Sequence, residues 1–125
     1  MKKSISIFLL FSLVTCFLIS GCGNNKEVEK NKARACAATM RVMLGAVEMY
    51  NMDNKTMMRE LNESNYNILV SKGYIKKDFK CTCPLTNKFQ YSSTCDLVDS
   101  TSDILTSIKC ENHGTIKDID TFVKK

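Results

Sequence analysis

An α+β domain is what this sequence predicts, with a long N-terminal amphipathic helix, a short second helix and a small antiparallel β-meander. Three observations lead there. Small and apolar residues recur at steps of three and four between Ala33 and Tyr50; apolar and polar residues alternate over short runs after Lys80; and clusters rich in Asn, Asp and Gly separate the runs. A chain of 125 residues has material for one small domain.

The long helix comes first. Ala33, Cys36, Ala37, Met40, Met43, Leu44, Val47 and Tyr50 fall on one stripe of the segment Ala33 to Asn54, while Arg34, Arg41 and Glu48 lie largely off it. Ala, Met, Leu, Arg and Glu lose little rotamer freedom in a helix, and no Pro interrupts the run. Gly45 is the weak residue, at about 1 kcal/mol relative to Ala. It is expected to let a neighbouring element approach closely.

Ahead of this helix stands an export signal. Lys2 and Lys3 precede the apolar segment Ile5 to Ile19, which closes on Ser20, Gly21 and Cys22. That apolar segment is shorter than the roughly 20 residues needed to span a bilayer. Leu18-Ile19-Ser20-Gly21-Cys22 resembles a bacterial lipobox. The resemblance implies cleavage after Gly21, a diacylglyceryl group on the sulfur of Cys22 and acylation of the new amino group. The expected organisation is therefore a signal peptide over 1–21, a lipidated tether over 22–32 that becomes helical as it enters the long helix, and a globular domain over 33–125. Several acyl chains, each contributing about 0.8 kcal/mol per buried methylene, anchor a protein firmly. The expected location is exported and lipid-anchored to the cell membrane or outer membrane, on the periplasmic or surface face. Loss of Lys2 and Lys3 removes two of the charges behind a formal net of +5. The remaining basic residues are interleaved with acids, so nucleic acid is not an expected partner.

The middle of the chain reads as a reversal and a short helix. Asn51, Asp53 and Asn54 favour a helix end, and Met57, Met58 and Leu61 are candidate core residues. Asn62 or Ser64 can cap a helix whose buried side is Tyr66, Leu69 and Val70, with Gly73 placed to end it and Tyr74 and Ile75 folding back as cover. Strand signals follow at Phe89 and Tyr91, at Leu97 and Val98, and over Ile104 to Cys110. Turn-like residues separate them at Asn87-Lys88, Asp99 to Asp103 and Asn112-His113-Gly114. A terminal helix over Asp118 to Lys125 would turn Ile119, Phe122 and Val123 inward.

A long helix, a loop helix ending in Gly-Tyr-Ile and a small meander is the element order of type IV pilins and of the major pseudopilins of type II secretion. Local blocks resemble that family too: Cys36-Ala37-Ala38-Thr39-Met40-Arg41, Gly45 to Asn54, Leu69 to Lys76, Cys83-Pro84 with Tyr91, and Cys110-Glu111-Asn112-His113-Gly114. The resemblance covers roughly Ala33 to Ile116 and implies a pilin-like domain with pilin-like or secretion-system partners. One departure stands out. Pilin precursors follow their peptidase site with an apolar helix bearing an early Glu, whereas the first acid here is Glu27, beyond the lipidation candidate. A lipid takes the place of the filament-packing half of the helix.

Beyond Cys16 and Cys22, five cysteines remain: Cys36, Cys81, Cys83, Cys95 and Cys110. Export places them where disulfides persist, so disulfides are the expected use. A Cys83–Cys110 bond would close a loop of about 27 residues and contribute about 3.5 kcal/mol in the chain-entropy picture. Cys81 competes with Cys83 for the same partner, and the odd count leaves one thiol over. Zinc is the alternative, held by Cys81, Cys83, Cys110 and His113, with ligand-like spacing in Cys110-x-x-His113. Against it, Cys81-x-Cys83 is tighter than the usual gap. A nucleophilic Cys beside His113 has no recognisable orienting acid, and no catalytic role is expected. Asp96, Asp99, Asp103 and Glu111 match no calcium-loop spacing and read as a solvated acidic turn.

The function these features imply is a membrane-anchored, non-enzymatic accessory or binding subunit near type II secretion or type IV pilus machinery, with no cofactor beyond the lipid on Cys22. The alternatives are a structural surface lipoprotein and a zinc-binding or thiol protein.

Overall fold

The structure is a computed structural model and describes residues 24–99 and 101–125. The expected signal peptide, the lipidation candidate Cys22 and Gly23 of the tether lie outside the described residues.

Helix α1 runs Asn25–Asp53 over 29 residues. It starts well ahead of Ala33, so most of the expected tether is helical. Lys26, Glu27, Glu29 and Lys30 are good helix formers, and Glu27 in the first turn offsets the N-terminal dipole. Arg34 extends this support by pairing with Glu27 at 3.0 Å and donating to the Asn31 side-chain oxygen Oδ1 at 2.7 Å. At the far end Asn54 closes the last turn twice, donating its backbone N–H (3.0 Å) and its carboxamide (2.8 Å) to the Tyr50 carbonyl. Ala33, Cys36, Ala37, Met40, Met43, Ala46 and Val47 are buried along one side. Leu44 and Tyr50 of the expected stripe are partly buried at its margin.

Helix α2, Glu63–Ser71, is capped by Asn62, whose side chain accepts from the Asn65 N–H at 2.9 Å. Gly73 ends it at φ +83. That conformation carries the chain back so that the Tyr74 N–H reaches the Leu69 carbonyl at 2.9 Å. Leu69 and Ile75 then enter the core. Tyr74 packs edge-on against Tyr50 at 5.5 Å and donates its hydroxyl to Asp53 at 3.0 Å, which locks the reversal to the end of α1. Met58 and Leu61 are buried as expected, whereas Met57 is exposed.

Three short strands make an antiparallel sheet in the order β1 (Tyr91–Ser93), β2 (Ile108–Cys110), β3 (Gly114–Thr115). Tyr91 lies opposite Cys110, and Cys110 opposite Gly114. Tyr91, Ile108 and Cys110 point to the core while Lys109 faces out, the two-residue period expected of a half-covered sheet. The Asn112-His113-Gly114 turn falls where expected, with Gly114 at φ +76.

Helix α3, Ile116–Lys124, begins two residues ahead of Asp118 because Thr115 and Asp118 form a reciprocal capping box. Ile116 and Ile119 are buried and Val123 partly so, but Phe122 is exposed.

The sheet has the small antiparallel form expected, but Leu97-Val98 and the 104–107 segment, where strand signals stand, are turns. The cause is local competition for backbone N–H groups. Asp96, Asp99 and Asp103 each accept from the N–H two residues ahead, at Val98, Thr101 and Leu105 (3.0, 2.9 and 3.0 Å). Such bonds offer the backbone an alternative to a ladder. The result is an α+β domain of three helices and one three-stranded antiparallel sheet among the described residues. Helix α1 is its spine, with α2, β2 and α3 packed against it.

Candidate functional site

The densest gathering of chemically capable side chains lies where α1, the loop before β1 and the β2–β3 turn meet. Cys36 comes from the buried side of α1, Cys83 from the loop, Cys110 from the end of β2 and His113 from the turn. Their ligand atoms all lie within 4.8 Å of one another. Nδ1 of His113 stands 3.5 Å from the Cys83 sulfur and 3.7 Å from that of Cys110. All three sulfurs are buried, and His113 closes the outer side.

The local backbone explains this convergence. After Cys83 the chain turns at Pro84, and the N–H groups of Leu85 and Thr86 point back at the Cys83 sulfur. After Cys110 the turn repeats the pattern, with the N–H groups of Asn112 and His113 aimed at the Cys110 sulfur. The Asn112 carboxamide adds a bond to Cys83 Sγ at 3.5 Å. On the helix side the Cys36 thiol donates to the Tyr91 hydroxyl oxygen at 3.5 Å.

The electrostatics differ from sulfur to sulfur. Burial pushes the Cys36 thiol up to about 12. Burial also raises Cys110 above its ordinary value, against the pull of the two N–H groups. At Cys83 burial is outweighed by the N–H groups of Leu85 and Thr86, the Cys110 thiol and the Asn112 amide, and the thiol falls below its ordinary value. Burial and the nearby Lys32 ammonium hold His113 below the usual histidine value, which favours the neutral imidazole.

The sequence-predicted residues are thus brought together in part. Cys83, Cys110 and His113 converge as the zinc alternative required, but Cys81 is not with them. It is buried apart from the cluster, against Tyr66, where burial raises its thiol to about 11. The reason is geometric. In an extended segment neighbouring-but-one side chains share a face only when the chain is straight, and the Lys80-to-Thr82 backbone bond (3.0 Å) bends it here. Cys36 fills the vacated corner. Sequence reading placed Cys36 on the core stripe of α1, but nothing in the local pattern tells a buried cysteine from a ligand. No disulfide joins the five cysteines of the disulfide expectation (Cys36, Cys81, Cys83, Cys95 and Cys110) in the structure. Cys95 stands apart, half-buried.

One hollow adjoins this centre and another lies apart from it. One, of about 390 Å³, opens beside His113 and is lined by Glu29, Leu85, Asp118 and Phe122. A larger groove of about 630 Å³ lies at the other end of α1, between Leu44, Val47, Met52 and Met57 on one wall and Leu97 and Ile104 on the other. Asp96 and Asp99 sit on its rim, each with a carboxylate held low by backbone N–H bonds, from Val98 and Thr101 respectively. The acidic residues thus belong to a solvated turn, and Glu111 lies elsewhere, bonded to Gln90 at 3.3 Å.

A further feature belongs to the surface of α1. Ala35, Ala38, Val42, Gly45, Met49 and Met52 succeed one another at steps of three and four along the outer side of α1. Val42, Met49 and Met52 are 43, 56 and 80% exposed. Gly45 sits in the middle of this row, and a Cβ added to it would meet nothing within 4 Å. The expectation that Gly45 admits a neighbouring element of the chain is therefore corrected: it faces outward. Among the described residues no helix is long and apolar enough to cross a membrane. No protein-family model matches the chain, and neither the curated proteins nor the solved structures contain a match.

Proposed function

We propose that this chain is an exported lipoprotein, anchored through Cys22, whose domain is a pilin-like accessory or binding subunit with no catalytic role. It acts beside type II secretion or type IV pilus machinery. The observation that carries the reading is the outward row Ala35, Ala38, Val42, Gly45, Met49 and Met52. Two apolar or small positions per seven residues form the narrow seam by which one helix packs along another. A long helix that uses one side for its own core and offers a second seam outward has the form of a subunit that docks helix to helix. Gly45 in the middle leaves room for close approach by the partner.

The lipobox resemblance supports the address, and the pilin-like sequence blocks support the class of partner. The partner is a helix of a pilin-like or secretion-platform protein, met at the membrane surface where the lipid holds this chain. The groove at Met52 continues the seam, since Met52 belongs to both.

The test is recovery from native membranes of the tagged, lipidated chain after mild crosslinking, compared with a Val42→Lys, Met49→Lys variant. Expected are pilin-like or secretion components with the parent chain and their loss with the variant, while the far-UV circular dichroism is unchanged. Recovery of unrelated envelope proteins alone, with secretion and piliation normal after deletion, would make the chain a structural surface lipoprotein instead. A Cys22→Ser chain that still partitions with detergent-phase membrane protein would refute the anchor.

A further inference from the structure

We propose that Cys36, Cys83, Cys110 and His113 form a zinc-binding centre that clamps the long helix to the sheet. The inference is independent of the lipid and of the partner proposed above.

The donor set fits this metal. Zinc takes Cys and His ligands in closed tetrahedral structural sites, and three sulfurs with one imidazole nitrogen is one of the standard combinations. Bond lengths of about 2.3 Å to sulfur and about 2.0 Å to nitrogen place tetrahedral S···N neighbours at about 3.5 Å. The observed separations from Nδ1 are 3.5 Å to Cys83 and 3.7 Å to Cys110. All four donor atoms fall within 4.8 Å of one another, so small side-chain rotations close the tetrahedron.

The surroundings are also those of a thiolate site. Cys83 and Cys110 each sit at the head of a turn whose next-but-one and following N–H groups face the sulfur. Asn112 donates to Cys83, and Tyr91 is placed to donate to Cys36 once that thiol has lost its proton. Outer donors of this kind orient ligands and stabilise their charge. A disulfide accounts for less of the arrangement. It would use two of the three sulfurs and leave the third, with the imidazole, pressed against it without a role.

On binding, each of the three thiols releases its proton to solvent, and His113 binds as the neutral imidazole. No electrons move. The filled centre carries one net negative charge, and Lys32 stands near His113 to offset it. Because Cys36 belongs to α1 and Cys110 to β2, the ion would add metal–ligand bonds to the apolar packing and the Cys36–Tyr91 hydrogen bond that join helix and sheet at this point.

The experiment uses the full-length protein purified in detergent without chelators. Zinc is counted by elemental mass spectrometry, and free thiols by alkylation under non-reducing conditions followed by intact mass. Cobalt(II) is then exchanged in and the visible spectrum recorded. Expected are about one zinc per chain, and tetrahedral cobalt bands with sulfur-to-metal charge transfer. His113→Ala and Cys36→Ser should each cut occupancy at a fixed free zinc level at least about tenfold. Cys81→Ser, at an equally buried cysteine, should retain the metal and thereby separates ligand loss from misfolding. The cobalt spectrum of the parent chain needs no variant at all. A metal-free chain lighter by two hydrogens, with a bond between two of the three clustered cysteines, overturns the proposal. So does full zinc retention in Cys36→Ser.

Discussion

Gly45→Ala separates what α1 does for its own domain from what it does for a partner. The substitution adds a methyl group inside a helix where nothing lies within 4 Å of the new Cβ. Ala is favoured over Gly in a helix interior by about 0.5–1 kcal/mol, since Gly loses more backbone freedom on folding. With no clash to subtract, the whole of that difference should appear as stabilisation. For a domain of this size it raises the melting temperature by about 2–8 °C. The assay is thermal unfolding of the full-length protein in detergent, followed by circular dichroism. In the same preparation, crosslinked recovery of the helical partner should fall, because the methyl group fills the space through which the partner approaches. A lower melting temperature would show that Gly45 is packed within the domain, and the seam would be lost as an interface. A higher melting temperature with undiminished recovery would leave the fold intact and remove Gly45 from the docking surface.

The other expectations follow from equally local features. Gly114→Ala should destabilise by about 2–3 kcal/mol, combining a left-handed backbone with loss of a helix cap; at φ +76 the added Cβ would stand 2.8 Å from the Asp118 oxygen that closes the capping box. Urea unfolding reads this directly, and a change below about 0.5 kcal/mol would contradict the turn geometry. Leu69→Ala empties the only fully buried position of α2, which should cost about 2–5 kcal/mol and lower the urea midpoint by about 1–3 M. Stability should also fall in acid. Backbone N–H bonds hold Asp96, Asp99 and Asp118 below the ordinary carboxylate range, so their contribution is complete above about pH 5 and is lost as pH falls through their folded values. A urea midpoint that is flat from neutral pH to about pH 3 would contradict this, and Asp118→Asn should reduce the slope.

Much of the domain was legible because periodicity reports burial. Six of the eight residues placed on the core stripe of α1 are buried, and the other two flank it. The Asn62 cap, the Gly73 stop and the Asn112-His113-Gly114 turn each rest on one residue's local chemistry, which the sequence displays directly. The segments at Leu97 and over 104–107 depart from their strand-like pattern for the opposite reason. Alternation was present, but three aspartates at the heads of those segments captured the N–H groups a ladder needs. A tether that turns helical on entering α1 is legible from its Lys and Glu, but a polar segment carries no apolar period to fix the first turn at Asn25.

The candidate centre was legible in three of its four members. Cys110 and His113 show ligand-like spacing at the β2–β3 turn, and Cys83 stands just ahead of the turn at Pro84. Cys36 is distant in sequence, and only the docking of α1 on β2 brings it in. The outward row on α1 was visible as letters but not as a surface, because Val42 and Met49 look like core residues until the orientation of the helix is known.

The most direct test of the proposed function places a photo-crosslinking side chain at Met49, on the exposed row of α1, and in a control at Lys109, on the outward face of β2. Each is expressed in the native host and irradiated in intact cells, and the adducts are identified by mass spectrometry. The account predicts a pilin-like or secretion-system adduct from position 49 and none of that kind from position 109. Adducts to lipid alone from position 49, or the same proteins from both positions, would contradict it.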